Sequence, residues 1–315
     1  MNSQIYQLPQ EFVHRLKKIY PSRFNEIFAT FRQKKITSFR INYLKTDLVS
    51  LTRQLKEANV RFKELSFPAG SFLLKGSLRD FQNTDVYRKG LVYVQNVSSM
   101  IPAIILDPQN NERILDLCAA PGAKTTQMAS LAPQAKIIAV DKVRKRYYKL
   151  LANLRAQGVG NVEVLLLDGI WVRKKFPEYF DKILVDAPCS VEGTFYLPNK
   201  HSYKYWKPRK VKEMVRTQKK LLHSSFFALR EEGTLIYSTC TFSPEENEEV
   251  IDWFIGKFKD KVELLPIDIP LDNVTSGLAR WKNRKFSSPC RLCKRIIPND
   301  FMEGFFIAKI KKVSV

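Results

Sequence analysis

Two short segments set a thiol beside groups able to direct its chemistry: Asp186-Ala187-Pro188-Cys189-Ser190 and Ser238-Thr239-Cys240-Thr241-Phe242-Ser243-Pro244. Each follows a short apolar run, Lys182 to Val185 and Thr234 to Tyr237, of the kind that forms a buried strand. If those strands are neighbours, both thiols face one pocket. Alkylation of a pyrimidine at carbon 5 has a use for two thiols. That carbon is a poor nucleophile, and a thiolate adding to carbon 6 creates an enamine whose carbon 5 can attack a sulfonium methyl. The adduct must then lose its carbon 5 proton and expel the thiol, and a second thiol can assist that release. Asp186 can hydrogen-bond the ring nitrogen and exocyclic amine of a cytosine, stabilising the adduct and disfavouring uracil. Lys124 supplies positive charge that can lower a thiol pKa or hold the substrate backbone. A buried cysteine on its own is usually a small hydrophobe. That reading suits Cys118, whereas the matched positions of Cys189 and Cys240 set them apart. Neither position nor mechanism says which of the two attacks.

Carboxylates supply the other half of the pattern. Ile114 to Leu117, Lys136 to Val140 and Val162 to Leu167 read as strands, carrying Asp116, Asp141 and Asp168 at or beside their carboxyl ends. At the end of a second strand, Asp141 can accept hydrogen bonds from both hydroxyls of a ribose. Asp168 is placed to meet an adenine amino group. The first turn, Asp116-Leu117-Cys118-Ala119-Ala120-Pro121-Gly122-Ala123-Lys124-Thr125, is neither GxGxxG nor GxxxxGK[ST]. Pro121 removes an amide that could cradle a phosphate, yet Ala119, Ala120 and Gly122 allow close backbone approach. A cofactor without a pyrophosphate suits it better than a dinucleotide.

The elements that must position these groups alternate. Helices are expected from about Thr125, from Arg144 to Gln157, from Arg216 to Arg230 ending at Glu231-Glu232-Gly233, and from Pro244 to Phe258. In the last, Pro244 occupies the first turn and Glu245, Glu246, Glu248 and Glu249 sit near the positive end of the dipole. Val262 to Leu265 and Phe305 to Ile310 can close the sheet. Strand and helix in alternation mean an α/β doubly wound sheet, whose ligands sit beyond the carboxyl ends of the strands. Upstream, two short helices between Phe12 and Phe31, strands at Ser38 to Tyr43, Val60 to Leu65 and Ser71 to Leu74, and a helix capped by Asp47 make a small α+β unit ending near Gly90.

The chain has 315 residues, 44% of them hydrophobic, enough for a sizeable core. Lys and Arg total 53 against 31 acids, a net charge of +22. Such an excess attracts polyanions: nucleic acid first, an anionic membrane surface second. Five widely spread cysteines do not resemble a disulfide framework and fit free thiols in a reducing compartment. No apolar run is long enough to span a bilayer and no leader pattern precedes the first helix, so a cytoplasmic protein is expected.

Five blocks together resemble the Nol–Nop–Sun (NSUN) family of RNA 5-methylcytosine methyltransferases. They are Tyr93-Val94-Gln95-Asn96-Val97-Ser98-Ser99-Met100, the turn Leu115 to Thr125, Asp186 to Ser190, Tyr237 to Thr241 with Pro244-Glu245-Glu246-Asn247-Glu248, and Gly304-Phe305-Phe306-Ile307-Ala308. Arg40-Ile41-Asn42 resembles a short block of the family's N-terminal domain. The resemblance implies a Rossmann-like class I methyltransferase domain over residues 91–315, an RRM-like RNA-binding domain over 1–90, and S-adenosyl-L-methionine as cofactor. It implies that Cys240 attacks and Cys189 assists release, although DNA cytosine methyltransferases attack with the Pro-Cys cysteine. It implies cofactor contacts at Cys118, Ala119, Ala120, Pro121, Gly122, Ala123, Lys124, Asp141, Asp168 and Asp186, with Arg146 matching a recurrent family arginine. Ala123 stands where the family often has a second glycine.

His201 to Lys220 interleaves Tyr203, Tyr205 and Trp206 with many Lys and Arg. It is read as a guide for RNA, phosphates on the cations and unpaired bases on the rings, against the plainer alternative of a solvated helix anchored by Trp206. Arg280 to Arg295 is read as a second basic surface. Cys290-Arg291-Leu292-Cys293 has zinc-ligand spacing but no second pair, so no metal is expected. The expected protein is a monomeric RNA cytosine-5 methyltransferase with no membrane attachment, its compact size leaning towards tRNA over rRNA. A catalytically silent RNA-binding assembly factor and a DNA-directed enzyme are the competing readings.

Overall fold

The computed structural model describes residues 8–314; residues 1–7 of the expected N-terminal unit lie outside them. The chain opens with α1 (Gln10–Ile19) and α2 (Phe24–Thr30). It continues through β1 (Ser38–Ile41), α3 (Leu48–Glu57), β2 (Phe62–Glu64), β3 (Ser71–Leu74), α4 (Leu78–Gln82), α5 (Asp85–Arg88) and β4 (Val92–Val94) to α6 (Val97–Leu106). Asp47 caps α3 by accepting from the Ser50 amide at 2.9 Å, the stop-and-start signal the sequence carried. Strands β2-β3-β1-β4 form an antiparallel sheet with its own core, centred on Phe39, Phe72 and Phe81.

The larger unit holds β5 (Arg113–Asp116), α7 (Ala123–Leu131), β6 (Lys136–Asp141), α8 (Arg144–Gln157), β7 (Val162–Leu166), α9 (Val172–Lys175), β8 (Phe180–Asp186), α10 (Pro208–Ala228), β9 (Leu229–Thr239) and α11 (Glu248–Phe258). It ends with β10 (Val262–Leu265), β11 (Val274–Ser276), β12 (Arg280–Trp281), β13 (Arg284–Lys285), β14 (Lys294–Ile296) and β15 (Phe305–Lys312). Strands β7-β6-β5-β8-β9 are parallel, and β15 joins antiparallel beside β9. Chain order reverses between β5 and β8, the topological switch where such sheets open a crevice. Both faces are buried. Leu115, Ile183, Val185, Leu235 and Tyr237 point into one core and Ile114, Leu184 and Ile236 into the other, as the two-residue period of a strand requires.

Several boundaries differ from the sequence expectation. The expected seam at residue 90 falls between elements that the structure joins: β4 completes the small sheet through β1, while α1 and α2 pack into the large core. There Phe12 meets Phe195 at 4.8 Å and Trp206 at 5.6 Å between ring centroids. α10 begins at Pro208, eight residues before the expected Arg216, and ends at Ala228. Glu231-Glu232-Gly233 is not a helix end but an irregularity in β9, where Glu232 takes φ 62° and pairs with Lys311 at 2.6 Å. Pro244 does not open α11, because residues 244–247 turn inward and α11 starts at Glu248.

Arg40 fastens the small sheet to the large one. From β1 its guanidinium donates to the Ala123 carbonyl at 2.9 Å, Thr126 Oγ1 at 2.8 Å and Gln95 Oε1 at 2.8 Å. Asn42 donates to the carbonyls of Gly90 at 2.9 Å and Gln157 at 2.8 Å. The Arg40-Ile41-Asn42 block is therefore seam chemistry.

Candidate functional site

The parallel pairing of β8 with β9 sets Asp186 opposite Ser238, so the two cysteine loops leave the sheet side by side. Ser238 Oγ donates to Asp186 Oδ1 at 2.7 Å, and the Ala187 amide donates to the Ser238 carbonyl at 2.9 Å. The result is a Sγ–Sγ separation of 3.4 Å between Cys189 and Cys240. Cys189 is the more buried of the two. Its pKa is pushed well up, first by its hydrogen bond with Cys240, then by burial and the neighbouring sulfur's charge. Cys189 therefore holds its proton across the neutral range.

Two chambers meet at Cys118, Ala120 and Asp186. The first, about 430 Å³, is lined by Asp141, Arg146, Asp168, Cys189 and Cys240, with Lys210, Met214 and Thr217 of α10 on its rim. The second, about 300 Å³, is lined by Asp116, Ala119, Pro121, Ala123 and Lys124 on one side and Tyr93, Asn96, Ser99 and Glu303 on the other. The sequence-derived residues thus divide between adjoining spaces. Gly122 lines neither; its φ of 107° starts α7, and a Cβ there would lie 2.8 Å from Leu150 Cδ1.

Lys124 projects from the first turn of α7, buried, and donates to Asp186 Oδ2 and Ser99 Oγ, each at 2.7 Å. Asp141 accepts from the Val143 amide at 2.9 Å and the Ala120 amide at 3.3 Å, and Arg146 lies 3.3 Å away. Asp168 caps the turn after β7 by accepting from the Ile170 amide at 3.3 Å and also meets Lys142 at 3.3 Å. Burial raises the Cys118 thiol pKa, with Asp116, Asp186 and Asp141 adding to the shift, so Cys118 stays neutral. Asp116 accepts from the Thr125 hydroxyl at 2.6 Å on one oxygen, while its other, fully buried oxygen has no partner among the described residues. Burial pushes its carboxyl up to about 7.

Several residues that build this site were given no role by the sequence. Glu246 is fully buried and accepts from the Ser190 amide at 2.9 Å, from the Ser190 hydroxyl, and from Gln218 Nε2 at 3.1 Å. It clamps the Cys189 loop to the segment after Cys240. Burial and the charge of Glu192 push its carboxyl up to about 8. Glu192 in turn accepts from the Phe242 amide at 3.2 Å and Trp206 Nε1 at 2.8 Å. Arg15 of α1 grips Glu245 with two nitrogens at 3.0 and 2.6 Å. Gly193 and Gly304 bring the cysteine loop against the start of β15, where a Cβ on Gly193 would sit 2.1 Å from the Gly304 carbonyl oxygen. The Pro-Glu-Glu-Asn-Glu and Gly-Phe-Phe blocks were the available signal, but their partners are remote in sequence.

Two expectations about the basic surface need correction. Tyr203 and Trp206 are buried and pack under the N-terminal helices, so of the three aromatics only Tyr205, 74% exposed, is free to stack. Arg295 is 1% exposed and holds Glu248 with Nε at 2.6 Å inside the core, so the second basic segment does not reach the surface there. Cys290 and Cys293 are buried in the same core.

A family profile described as 16S rRNA methyltransferase RsmB/F matches residues 103–311, and one described as the N-terminal domain of 16S rRNA methyltransferase RsmF matches residues 8–97. The chain is 36% identical over 312 residues to the tRNA (cytosine(49)-C(5))-methyltransferase of Pyrococcus abyssi, covering 97% of each chain. It is 33% identical over 313 residues to ribosomal RNA small subunit methyltransferase F of Escherichia coli O157:H7, covering 96% of this chain and 63% of that one. It therefore spans somewhat less than two thirds of the longer ribosomal relative. A methyltransferase homolog protein from Pyrococcus horikoshii shares the fold at a TM-score of 0.86 and 30% identity, over 99% of this chain and 100% of that one. NSun6 from Pyrococcus horikoshii, solved with SFG, shares it at a TM-score of 0.84 and 22% identity, with coverage of 99% and 100%.

Proposed function

Since the chain belongs to the RsmB/RsmF group of the Nol–Nop–Sun family, S-adenosylmethionine-dependent RNA cytosine-5 methyltransferases, we propose that Cys240 is its nucleophile, Cys189 its releasing thiol, and tRNA its substrate. The observation that carries the division of labour is the 3.4 Å thiol pair with the proton held on the Cys189 side.

The residues fit the cofactor. Asp116 offers a buried, unpartnered oxygen suited to an amino group. Asp141 suits ribose hydroxyls and Asp168 an exocyclic amine, while the Cys118–Gly122 turn gives close backbone approach without a phosphate cradle. When bound, S-adenosylmethionine supplies a methyl group on a sulfonium, an electrophile for carbon 5.

The protein's own groups do the rest. Cys240 as thiolate adds to carbon 6 of a cytosine drawn out of its stack. Asp186, oriented by Lys124 and Ser238, faces the ring nitrogen and exocyclic amine and steadies the charge that builds there. After methylation the carbon 5 proton passes to solvent, its electron pair re-forms the ring double bond and expels Cys240 as thiolate, and the adjacent Cys189 supports the departing sulfur with a hydrogen bond.

The tRNA reading is supported by near-complete coverage of a relative named for a tRNA position, and ribosomal RNA is the second reading. Among the described residues no helix is long and apolar enough to cross a membrane, and we take the working form to be a cytoplasmic monomer. The test is transfer of labelled methyl from S-adenosylmethionine to unmodified tRNA and 16S rRNA transcripts. We expect cytosine labelling that Cys240→Ala abolishes. Retained transfer in that variant would remove Cys240 from the role, and labelling confined to the ribosomal transcript would remove tRNA.

A further inference from the structure

Helix α10 has a second lined flank beyond the active-site rim. Lys219 and Lys220 there face Trp171 and Arg173, from the segment after Asp168, and Trp253 and Lys257 of α11, across a separate groove of about 330 Å³. Among the described residues these four cations form no ion pair. The acid acting on Lys219, Glu249, is already engaged by Arg284 at 3.3 Å. Lysines stand over both rings; Trp253 is half-buried against the core, and Trp171 is the exposed one. Trp171 is 46% exposed, with Lys174 4.8 Å from its ring centroid. Lys219 and Lys257 stand 5.3 and 5.8 Å from the Trp253 centroid.

Unpaired cations around an exposed indole are what a single-stranded nucleic acid uses: phosphates take the charges and an unstacked base takes the ring. The groove also adjoins the site. Gly169 and Leu221 line the first chamber, and their neighbours Trp171, Lys219 and Lys220 line the groove. We propose that this groove is a second RNA contact, which holds single-stranded backbone and one unstacked base of the substrate as the strand leaves the catalytic chamber across α10. The proposal rests on RNA being the substrate.

The full chain would be titrated, with S-adenosylhomocysteine present, against fluorescein-labelled oligocytidylates of 20 and 5 nucleotides by anisotropy. The expected result for Lys219→Glu/Lys220→Glu is roughly tenfold weaker binding of the 20-mer. The slope of log affinity against log salt should be shallower by about 1.4, near 0.7 for each phosphate contact of a single strand. Trp171→Ala should weaken the 20-mer several-fold, and Lys219→Arg/Lys220→Arg should restore wild-type affinity and slope. The 5-mer should change less than twofold, and S-adenosylhomocysteine affinity by calorimetry should stay put, which a misfolded variant would not show. Unchanged 20-mer affinity and slope in the charge-reversed variant would overturn the proposal. So would unchanged RNA binding with lost binding to phosphatidylserine vesicles, which would assign the groove to a lipid surface. Absence of methyl transfer by the wild-type chain would instead count against the enzymatic reading and leave the binding comparison standing.

Discussion

Replacing Glu246 by Ala should loosen both cysteine loops at once. The carboxylate is fully buried and receives the Ser190 amide, the Ser190 hydroxyl and Gln218 Nε2. Ser190 keeps a hydroxyl partner in Thr241 at 2.8 Å, and Gln218 keeps the Pro188 carbonyl at 2.9 Å. The Ser190 amide is the donor left stranded, costing about 1–3 kcal/mol, and the emptied volume adds a comparable amount. A net loss of about 3 kcal/mol would lower Tm by roughly 4–5 °C in a protein of this size. Single-turnover methyl transfer should fall by roughly tenfold or more, since small misplacement of reacting groups is expensive. Glu246→Gln is the control, because its amide can satisfy the same ring of partners with the Ser190 hydroxyl turned round. It also separates the charge from the shape. The carboxyl titrates near 4.5 when unfolded and is pushed up to about 8 when folded. In that interval the unfolded chain has released a proton that the folded chain retains, so wild-type stability falls as pH rises from about 4.5 to about 8 and then levels. Glu246→Gln lacks this loss, so its Tm should gain on wild type across that window. A Glu246→Ala variant with Tm within 2 °C of wild type and unimpaired transfer would refute the clamp.

Cys189→Ala should accumulate a covalent protein–RNA adduct, seen as a slow-migrating band that persists in denaturing gels; a clean gel would remove Cys189 from product release. Asp186→Asn takes the opposite charge away from buried Lys124, costing about 2 kcal/mol with allowance for partial exposure of the acid, and should reduce transfer about a hundredfold. Adding Lys124→Met should restore Tm but not activity, and recovery of both would make the pair merely structural. Arg295→Met strands Glu248 in the core and should destabilise by about 3–5 kcal/mol, with much of it regained in Arg295→Met/Glu248→Gln; calorimetric unfolding of the three chains decides this.

The carboxyl edge of the sheet was legible because its signals are local. Asp141, Asp168, Asp186 and Cys240 each sit at or just past a short apolar run that reads as a buried strand. What held the edge in place was not. Arg15 and Glu245 are 230 residues apart in the chain, and nothing near either announces the other. Trp206 and Arg295 look like surface residues in a basic chain, and only their partners, Glu192 and Glu248, explain their burial. The acidic run after Pro244 reads as a helix start by composition. It fails as one because Glu246 and Asn247 are spent on the cysteine loops, Asn247 accepting from the Thr239 hydroxyl at 2.6 Å and donating to the Thr241 carbonyl at 2.9 Å. Local propensity lost to tertiary hydrogen bonding there, as it does where a site is assembled.

The Arg40 seam has a consequence for how a target nucleotide is chosen. One guanidinium, carried by the small sheet, bonds the same helical turn that carries Lys124. The two units therefore share an origin, the small sheet being tied to the turn that presents Lys124. An RNA gripped by the small sheet would present its cytosine at a set reach, as work held in a fixed jaw meets the tool at one distance. Selection would then begin as measurement, with the span between grip and thiol pair excluding RNAs of the wrong length or fold before any base is read.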